Sequence, residues 1–352
     1  MRFRSRLLFP SLDDLRTQHN IPHVNNGKRF TILGPFGIVT DDLERLHPIL
    51  DPEGQVVFRS GVEFHPLVFR GQNAIHSPCV PTIARTANPV EQFLQWCRNV
   101  AFVDALLEHP YVQHCMSATL GGSPLRIHCQ SIAQHYGLAT NLLDTTNNFD
   151  VAAFFASCVR GADGQWRPVM ESDTPGVIYA FPPVLFHLEP NGFDKYFDVG
   201  WQPLQRPEQQ RASAMQLFKG EDFAAIPGIA AWAFRHDRAI AERLLEQFNG
   251  AAALFPVDPA SDIATHANQL MTFTESQIEQ AFAAYDAWHG VKLETDQRKK
   301  LVSTAGISIA KDRVLSWDEF NLDTQPEALR QRLERELAGA RFRLTCDHFV
   351  AC

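Results

Sequence analysis

The sequence predicts an α+β fold: a central, mostly antiparallel sheet with helices packed on it. Three observations predict it. Short runs rich in Val, Ile and Phe, such as 56–59, 66–70 and 176–181, read as strands. Longer stretches with apolar residues three and four apart, such as 90–109, read as amphipathic helices. A hydrophobic fraction of 45% with 26 Phe in 352 residues provides for a well-filled interior. The two kinds of element alternate without an internal repeat or a low-complexity tract.

Taken in order, residues 1–55 are punctuated by Pro and Gly and read as an N-terminal extension that packs on the central part of the chain, with a short helix expected over 41–46. The runs 56–59 and 66–70 are expected to pair as a hairpin through Gly61. Phe93, Cys97, Val100, Ala101, Asp104 and Leu107 keep helical spacing, and Pro110 is expected to stop that helix. In the loop 119–125, Ser123 is expected to N-cap a helix with Pro124 at its first position. Leu125, Cys129, Ile132, Ala133 and Tyr136 would then share a face, and Gly137 would end the helix in a left-handed conformation. An Ala- and Phe-rich helix over 149–159 reads as buried, and 176–181 as a strand. Later helices are expected at 237–248, 275–288 and 326–338, the second opened by a Thr274/Gln277 capping box. Arg330, Arg332, Glu334 and Glu336 read as a solvated face, and 341–350 as a final strand. The chain thus divides into three regions: the extension 1–55, a central domain over 56–215 with its core in 56–160, and a helical region 216–352 packed on it.

The net charge of −8 argues against nucleic acid as a partner of the whole chain. The cysteine number, 7, is odd and no pair has C-x-x-C spacing, so a reduced, cytoplasmic protein is expected. Leu7, Leu8 and Phe9 are too short an apolar run for a signal peptide, and no stretch approaches the roughly 18 apolar residues of a membrane span. His109, His114, Cys115, His128, Cys129 and His135 match no compact ligand spacing, so no metal is expected.

Two segments carry chemistry. The first is Phe69-Arg70-Gly71-Gln72 at a strand end. The second is Gln134-His135-Tyr136-Gly137-Leu138-Ala139-Thr140-Asn141-Leu142-Leu143-Asp144-Thr145-Thr146, with Asp150-Val151-Ala152-Ala153-Phe154-Phe155-Ala156 after it. A planar guanidinium at Arg70, beside a glycine that permits close approach, suits an anion and phosphate above all. The alternative is an ion pair with an internal carboxylate such as Asp144. His135, near a helix C-terminus, can donate to a ligand, act as an acid, or hold the loop 138–144. Tyr136 falls on the apolar face. Asp144 and Thr146 can serve as turn or capping residues or as the polar floor of a pocket. A helix N-terminus near 147–150 would favour an anion. Arg70, His135 and Asp144 are therefore expected in one pocket, with Phe69 and Leu142 buried. An Arg70 at a surface cleft would contribute little to stability, within ~0.5 kcal/mol.

These two segments resemble the FRG domain, a family named for its Phe-Arg-Gly opening. Its second motif runs approximately Q-H-Y-G-[LI]-P-T-R-L-L-D-W-T, ahead of an Ala-rich helix ending F-A. Gln134, His135, Tyr136, Gly137, Thr140, Leu142, Leu143, Asp144 and Thr146 agree, while Ala139, Asn141 and Thr145 depart from Pro, Arg and Trp. Arg206-Pro207-Glu208-Gln209-Gln210 resembles a later R-x-x-x-Q element. Aromatic-Arg-Gly at a strand end is also similar to the first motif of the Arg-Ser-Glu class of ADP-ribosyltransferases. There the Arg binds NAD phosphates, a Ser-Thr-Ser element shapes the nicotinamide pocket, and a Glu stabilises an oxocarbenium-like transition state. Here Thr145-Thr146 echoes the middle element, no Glu stands in an E-x-E or Q-x-E setting, and Gln209 or Gln210 is the candidate stand-in, whose neutral amide stabilises developing positive charge far less well than a carboxylate. The resemblance implies an ADP-ribosyltransferase-like sheet, with NAD as a substrate rather than a resident cofactor. It implies transferase or NAD glycohydrolase chemistry with His135 and Asp144 catalytic. Phe69, Arg70, Gly71, Gln72, Gln134, Tyr136, Thr140, Thr146 and Gln210 would meet the ligand. The partner would be a small anionic nucleotide or a protein. The other reading it allows is a non-catalytic binding module in bacterial stress or phage defence.

Overall fold

The computed structural model describes residues 8–21, 29–34, 37–42, 46–60, 67–170, 174–187, 195–338 and 340. The N-terminal strands are β1 (Leu8–Phe9), β2 (Arg29–Gly34), β3 (Gly37–Asp42), β4 (Leu46–Leu50), β5 (Val56–Ser60) and β6 (Val68–Gln72). After them come β7 (Thr119–Leu120), β8 (Ser123–Pro124), β9 (Leu142–Thr146), β10 (Cys158–Arg160), β11 (Trp166–Pro168) and β12 (Gly176–Phe181). The rest are β13 (Tyr196–Asp198), β14 (Ala212–Gln216), β15 (Ala230–Phe234), β16 (Thr272–Thr274) and β17 (Ser308–Ala310). The first five helices are α1 (Leu12–Gln18), α2 (Pro89–Glu108), α3 (Pro110–Ser117), α4 (Cys129–His135) and α5 (Phe149–Ser157).

The fold is α+β. A seven-stranded sheet has the order β1-β15-β12-β6-β9-β14-β13. Every neighbouring pair in it is antiparallel except β1 with β15. α5 lies against one face, and two glycines make that possible. A Cβ on Gly71 would stand 1.8 Å from the carbonyl oxygen of Ala152, and one on Gly176 would stand 3.0 Å from that of Ala156. The Ala-rich face of α5 and the two bare strand positions thus bring helix and sheet backbones together. Phe69, Phe149, Phe154, Ile178 and Phe234 fill this layer. The other face is covered by Cys79, Phe186, Phe223 and their neighbours over Val68, Leu143, Val177 and Met215. A further apolar layer joins α2 and α4 to the helices Pro259–Ala267 and Glu275–His289.

Several sequence expectations hold. α2, α5 and β12 lie where periodicity places them, as do the helices Arg238–Gln247, Glu275–His289 and Pro326–Leu337. The Thr274/Gln277 capping box is formed, and Gly137 has φ 88. Others are corrected. Residues 41, 42 and 46 are in strands β3 and β4, not a helix, because β-branched residues upstream extend the chain into a hairpin with Arg29 opposite Asp42. β5 does not pair with β6. It pairs with β4, because Asp51–Gln55 closes a shorter turn, with Gln55 donating from its main chain to Asp51 Oδ1 at 2.7 Å and Gly54 at φ 75. Gly61 lies outside the described residues.

Pro110 does not merely stop α2. The residue before it is driven extended (His109 ψ 122), and Pro110 opens α3. Ser123 and Pro124 form a strand, because Gly121 and Gly122 (φ 59 and 91) turn a two-residue hairpin, and α4 begins only at Cys129. Leu125 is therefore not on that helix. Asp144 and Thr146 belong to β9; Thr146 ends it as a turn residue, its Oγ1 accepting from the Asn148 main chain at 3.1 Å, while the cap of α5 is Asn148. The expected strand 341–350 lies outside the described residues, as do Cys346 and Cys352. Cys79, Cys97, Cys115, Cys129 and Cys158 are free thiols. Among the described residues no helix is long and apolar enough to cross a membrane.

One contact ties the N-terminal helix to the centre. Arg16 of α1 forms a buried ion pair with Asp150 in the first turn of α5 and lies 4.6 Å over the Phe149 ring. Asn148 and Asp150 thereby occupy the helix N-terminus that the sequence offers to an anion.

Candidate functional site

A cavity of about 700 Å³ opens where β6 and β9 part. The two strands share a single pair, Phe69 opposite Thr146. Continued, that register would set Gly71 opposite Asp144, but no ladder forms there. Arg70 instead donates from Nη1 to the main-chain carbonyl of Asp144 at 2.6 Å. The alternative to ligand binding named from the sequence, an ion pair with the Asp144 carboxylate, is thus corrected: the contact goes to the backbone. Arg70 also has a buried Nε with no hydrogen-bond partner. Arg70 is half-buried, and its bond to the Asp144 carbonyl gives it a structural contact at the split beside its place on the cavity. Gly71 lines the cavity, but its missing side chain is required by Ala152 of α5.

His135 ends α4 with a side chain only 2% exposed. Its Nδ1 lies 3.1 Å from Gln210 Oε1, and Gln210 Nε2 donates to the Leu254 carbonyl at 3.1 Å. The second bond fixes the amide, so Oε1 accepts and His135 Nδ1 carries a proton. Nε2 is then the nitrogen facing the site, 3.7 Å from Asp144 Oδ1, and it has no hydrogen-bond partner. Arg206, one helical turn before Gln210, reaches the His135 carbonyl at 3.4 Å. The R-x-x-x-Q element therefore grips His135 by its backbone and by its ring. Gln210 lines the cavity, yet its amide is committed to this hold.

Asp144 keeps 37% of its side chain exposed, and its Oδ2 accepts from Gln134 Nε2 at 3.3 Å. Thr140 donates to Gln134 Oε1. Gln134 and Thr140 do not line the cavity; they hold the carboxylate in place. Tyr136 lies away from it as well, donating to Asp258 with Arg206 4.2 Å over its ring. Thr146 and Phe69 line the floor, Thr146 donating to the Gln210 carbonyl at 2.8 Å. Thr145, where the family motif has Trp, is buried and bonded to Ser213 Oγ at 2.7 Å. The aromatic wall comes from elsewhere: Phe155 of α5 and Trp166 of β11, with ring centroids 5.8 Å apart.

The structure therefore brings Phe69, Arg70, Gly71, Gln72, His135, Asp144, Thr146 and Gln210 to one cavity. Sequence reasoning missed Arg85, Phe155, Trp166 and Arg160, which also line it. Phe155 lies inside the quoted motif. The others have no periodic or spacing signal, Arg85 least of all, since it ends a short 3₁₀ turn in a Pro-punctuated loop. Burial and then the like charge of Arg70 hold the Arg85 guanidinium below its usual value, although the residue reaches solvent. Burial pushes the Cys79 thiol up, and Arg70 beside it partly offsets this. Burial likewise pushes the Cys158 thiol, on the cavity wall, up to about 12, which keeps it a neutral thiol rather than a nucleophile. Among the described residues no three His, Cys, Asp or Glu side chains gather as metal ligands.

Residues 65–164 match the model of one family, the FRG domain. No curated protein and no solved structure matches the chain. The matched span holds β6, α4, β9 and α5, and with them Arg70, His135 and Asp144. Strands β12, β14 and β15 complete the same sheet from outside that span, and Gln210 reaches in from there to orient His135. The chain carries an FRG domain over residues 65–164.

Proposed function

We propose that this cavity binds an NAD-like nucleotide and acts at its ribose, as a transferase or glycohydrolase of ADP-ribosyltransferase type. One observation carries the reading: Arg70, His135 Nε2 and the partly exposed carboxylate of Asp144 converge on a single cavity with an aromatic wall. Arg70 supplies donors for phosphate oxygens. Phe155 and Trp166 supply a surface for a flat ring. The reaction breaks the bond between the ribose C1′ and the nicotinamide nitrogen, and the electron pair leaves with nicotinamide. The ribosyl cation that develops is stabilised by the Asp144 carboxylate. A water or acceptor hydroxyl adds to C1′, and its proton passes to His135 Nε2, as positioned acid–base groups do.

The test is incubation with NAD while nicotinamide release is followed by chromatography. Release is expected from the wild type, with a loss of about 10²-fold or more in His135→Ala and in Asp144→Asn. Release that survives both substitutions sinks the catalytic reading. Nucleotide binding by calorimetry without any release supports instead a binding module, and the neutral Gln210 in place of a Glu favours that outcome.

A further inference from the structure

The cavity is cationic in an acidic chain. Arg70, Arg85 and Arg160 line it against one carboxylate, Asp144, while the whole chain carries a net charge of −8. Among the described residues no carboxylate forms an ion pair with Arg70 or Arg85, and no group hydrogen-bonds the Arg85 side chain. Arg70 keeps its buried Nε unpartnered. The like charge of Arg70 adds to burial in lowering Arg85, and Cys79 and the Asp144 carboxylate only partly offset it. The one carboxylate of the cavity, Asp144, forms an ion pair with neither guanidinium, so two positive charges stand against one negative. An anion with charge at two linked centres relieves the repulsion and uses both planar forks. A single phosphoryl group can satisfy Arg70 alone.

We propose that Arg70 and Arg85 clamp a diphosphate, one phosphoryl group to each guanidinium, so that the ligand is a nucleoside diphosphate or a diphosphate ester rather than a monophosphate. The nucleoside half of this proposal rests on the nucleotide reading above; the clamp does not. Arg70 is anchored through Nη1 on the Asp144 carbonyl and forms the fixed jaw. Arg85 reaches solvent from the loop after β6 and forms the jaw that the ligand orders.

The experiment is calorimetric titration of the full chain with inorganic pyrophosphate and with inorganic phosphate at constant ionic strength. The wild type is expected to bind pyrophosphate at least about tenfold more tightly, as one further charge-assisted fork allows. Arg85→Gln, which removes no hydrogen bond or ion pair of the side chain, should lower pyrophosphate affinity about tenfold and change phosphate affinity by less than about threefold. Arg70→Lys, which keeps the charge but loses the fork, should weaken both anions. An Arg85→Gln protein with an unaltered pyrophosphate-to-phosphate ratio overturns the clamp, and so does a wild type with no preference. Pyrophosphate binding that depends on Arg85, together with no binding of ADP or NAD, keeps the clamp and overturns the nucleotide reading.

Discussion

Arg70 meets Asp144 through the backbone: Nη1 donates to the main-chain carbonyl at 2.6 Å, while the Asp144 carboxylate turns to Gln134 and His135. A side chain here takes the place of a ladder hydrogen bond at the point where two central strands separate. The cavity lies at this separation, and the same arginine that bonds the Asp144 carbonyl lines it. Folding and ligand binding therefore draw on one residue.

Arg70→Ala should accordingly destabilise the fold by about 1–2 kcal/mol, since it leaves a carbonyl in the split without its donor. Asp144→Asn keeps that carbonyl. The two substitutions should add in urea unfolding to within about 0.5 kcal/mol, and couple only in ligand affinity. Strong coupling in unfolding would mean that the guanidinium pairs with the carboxylate after all.

Gly71→Ala tests the approach of β6 to α5. The added Cβ would lie 1.8 Å from the Ala152 carbonyl oxygen, and backbone cannot yield as a flexible side chain does. A loss of about 3 kcal/mol or more in unfolding free energy is expected, or failure to fold. A variant with a wild-type urea midpoint would show that the helix does not sit where Gly71 puts it.

His109 is expected to make the protein acid-sensitive. Its Nδ1 accepts from the Tyr111 main chain at 3.2 Å, which requires an unprotonated nitrogen, and burial, then Arg332, lowers its pKa to about 4. The unfolded chain takes up a proton near the ordinary value of about 6.5 while the fold resists until about 4. The stabilisation is thus complete above pH 6.5 and is lost as pH falls toward 4, up to about 3 kcal/mol in all. His109→Asn keeps a capping acceptor without the titration. Urea midpoints measured between about pH 4 and 7 should fall less steeply in that variant, and equal slopes would exclude His109 as the cause.

Gln210 is a positioning residue for His135. Its Oε1 lies 3.1 Å from His135 Nδ1, and its own amide is held by the Leu254 carbonyl. Long-range ¹H–¹⁵N spectra of the neutral ring should show the proton on Nδ1 in the wild type and its redistribution to Nε2 in Gln210→Ala. An unchanged tautomer would mean that the amide does not orient the ring.

Much of this protein was legible from local pattern. The 3.6-residue spacing over 90–109 marks α2, the Ala- and Phe-rich run marks a buried α5, and Gly137 marks the end of α4. All three depend on residues within a turn or two of each other. The motif segments also pointed to Arg70, His135 and Asp144 as neighbours. What the sequence could not disclose depended on pairing between distant segments. Leu142–Thr146 reads as a loop until β14 pairs with it along five residues, and β5 passes over its sequence neighbour β6 for the tighter turn to β4. Arg16 and Asp150 are 134 residues apart, and Gln210 is 75 from His135. Arg85 carries no spacing signal, and only the folding of its loop over the split strands sets it beside Arg70. Periodicity and turn chemistry act along the chain, so they determined elements and their ends. Which polar groups share a cavity is decided by how buried faces stack, and that packing exists only in the tertiary structure.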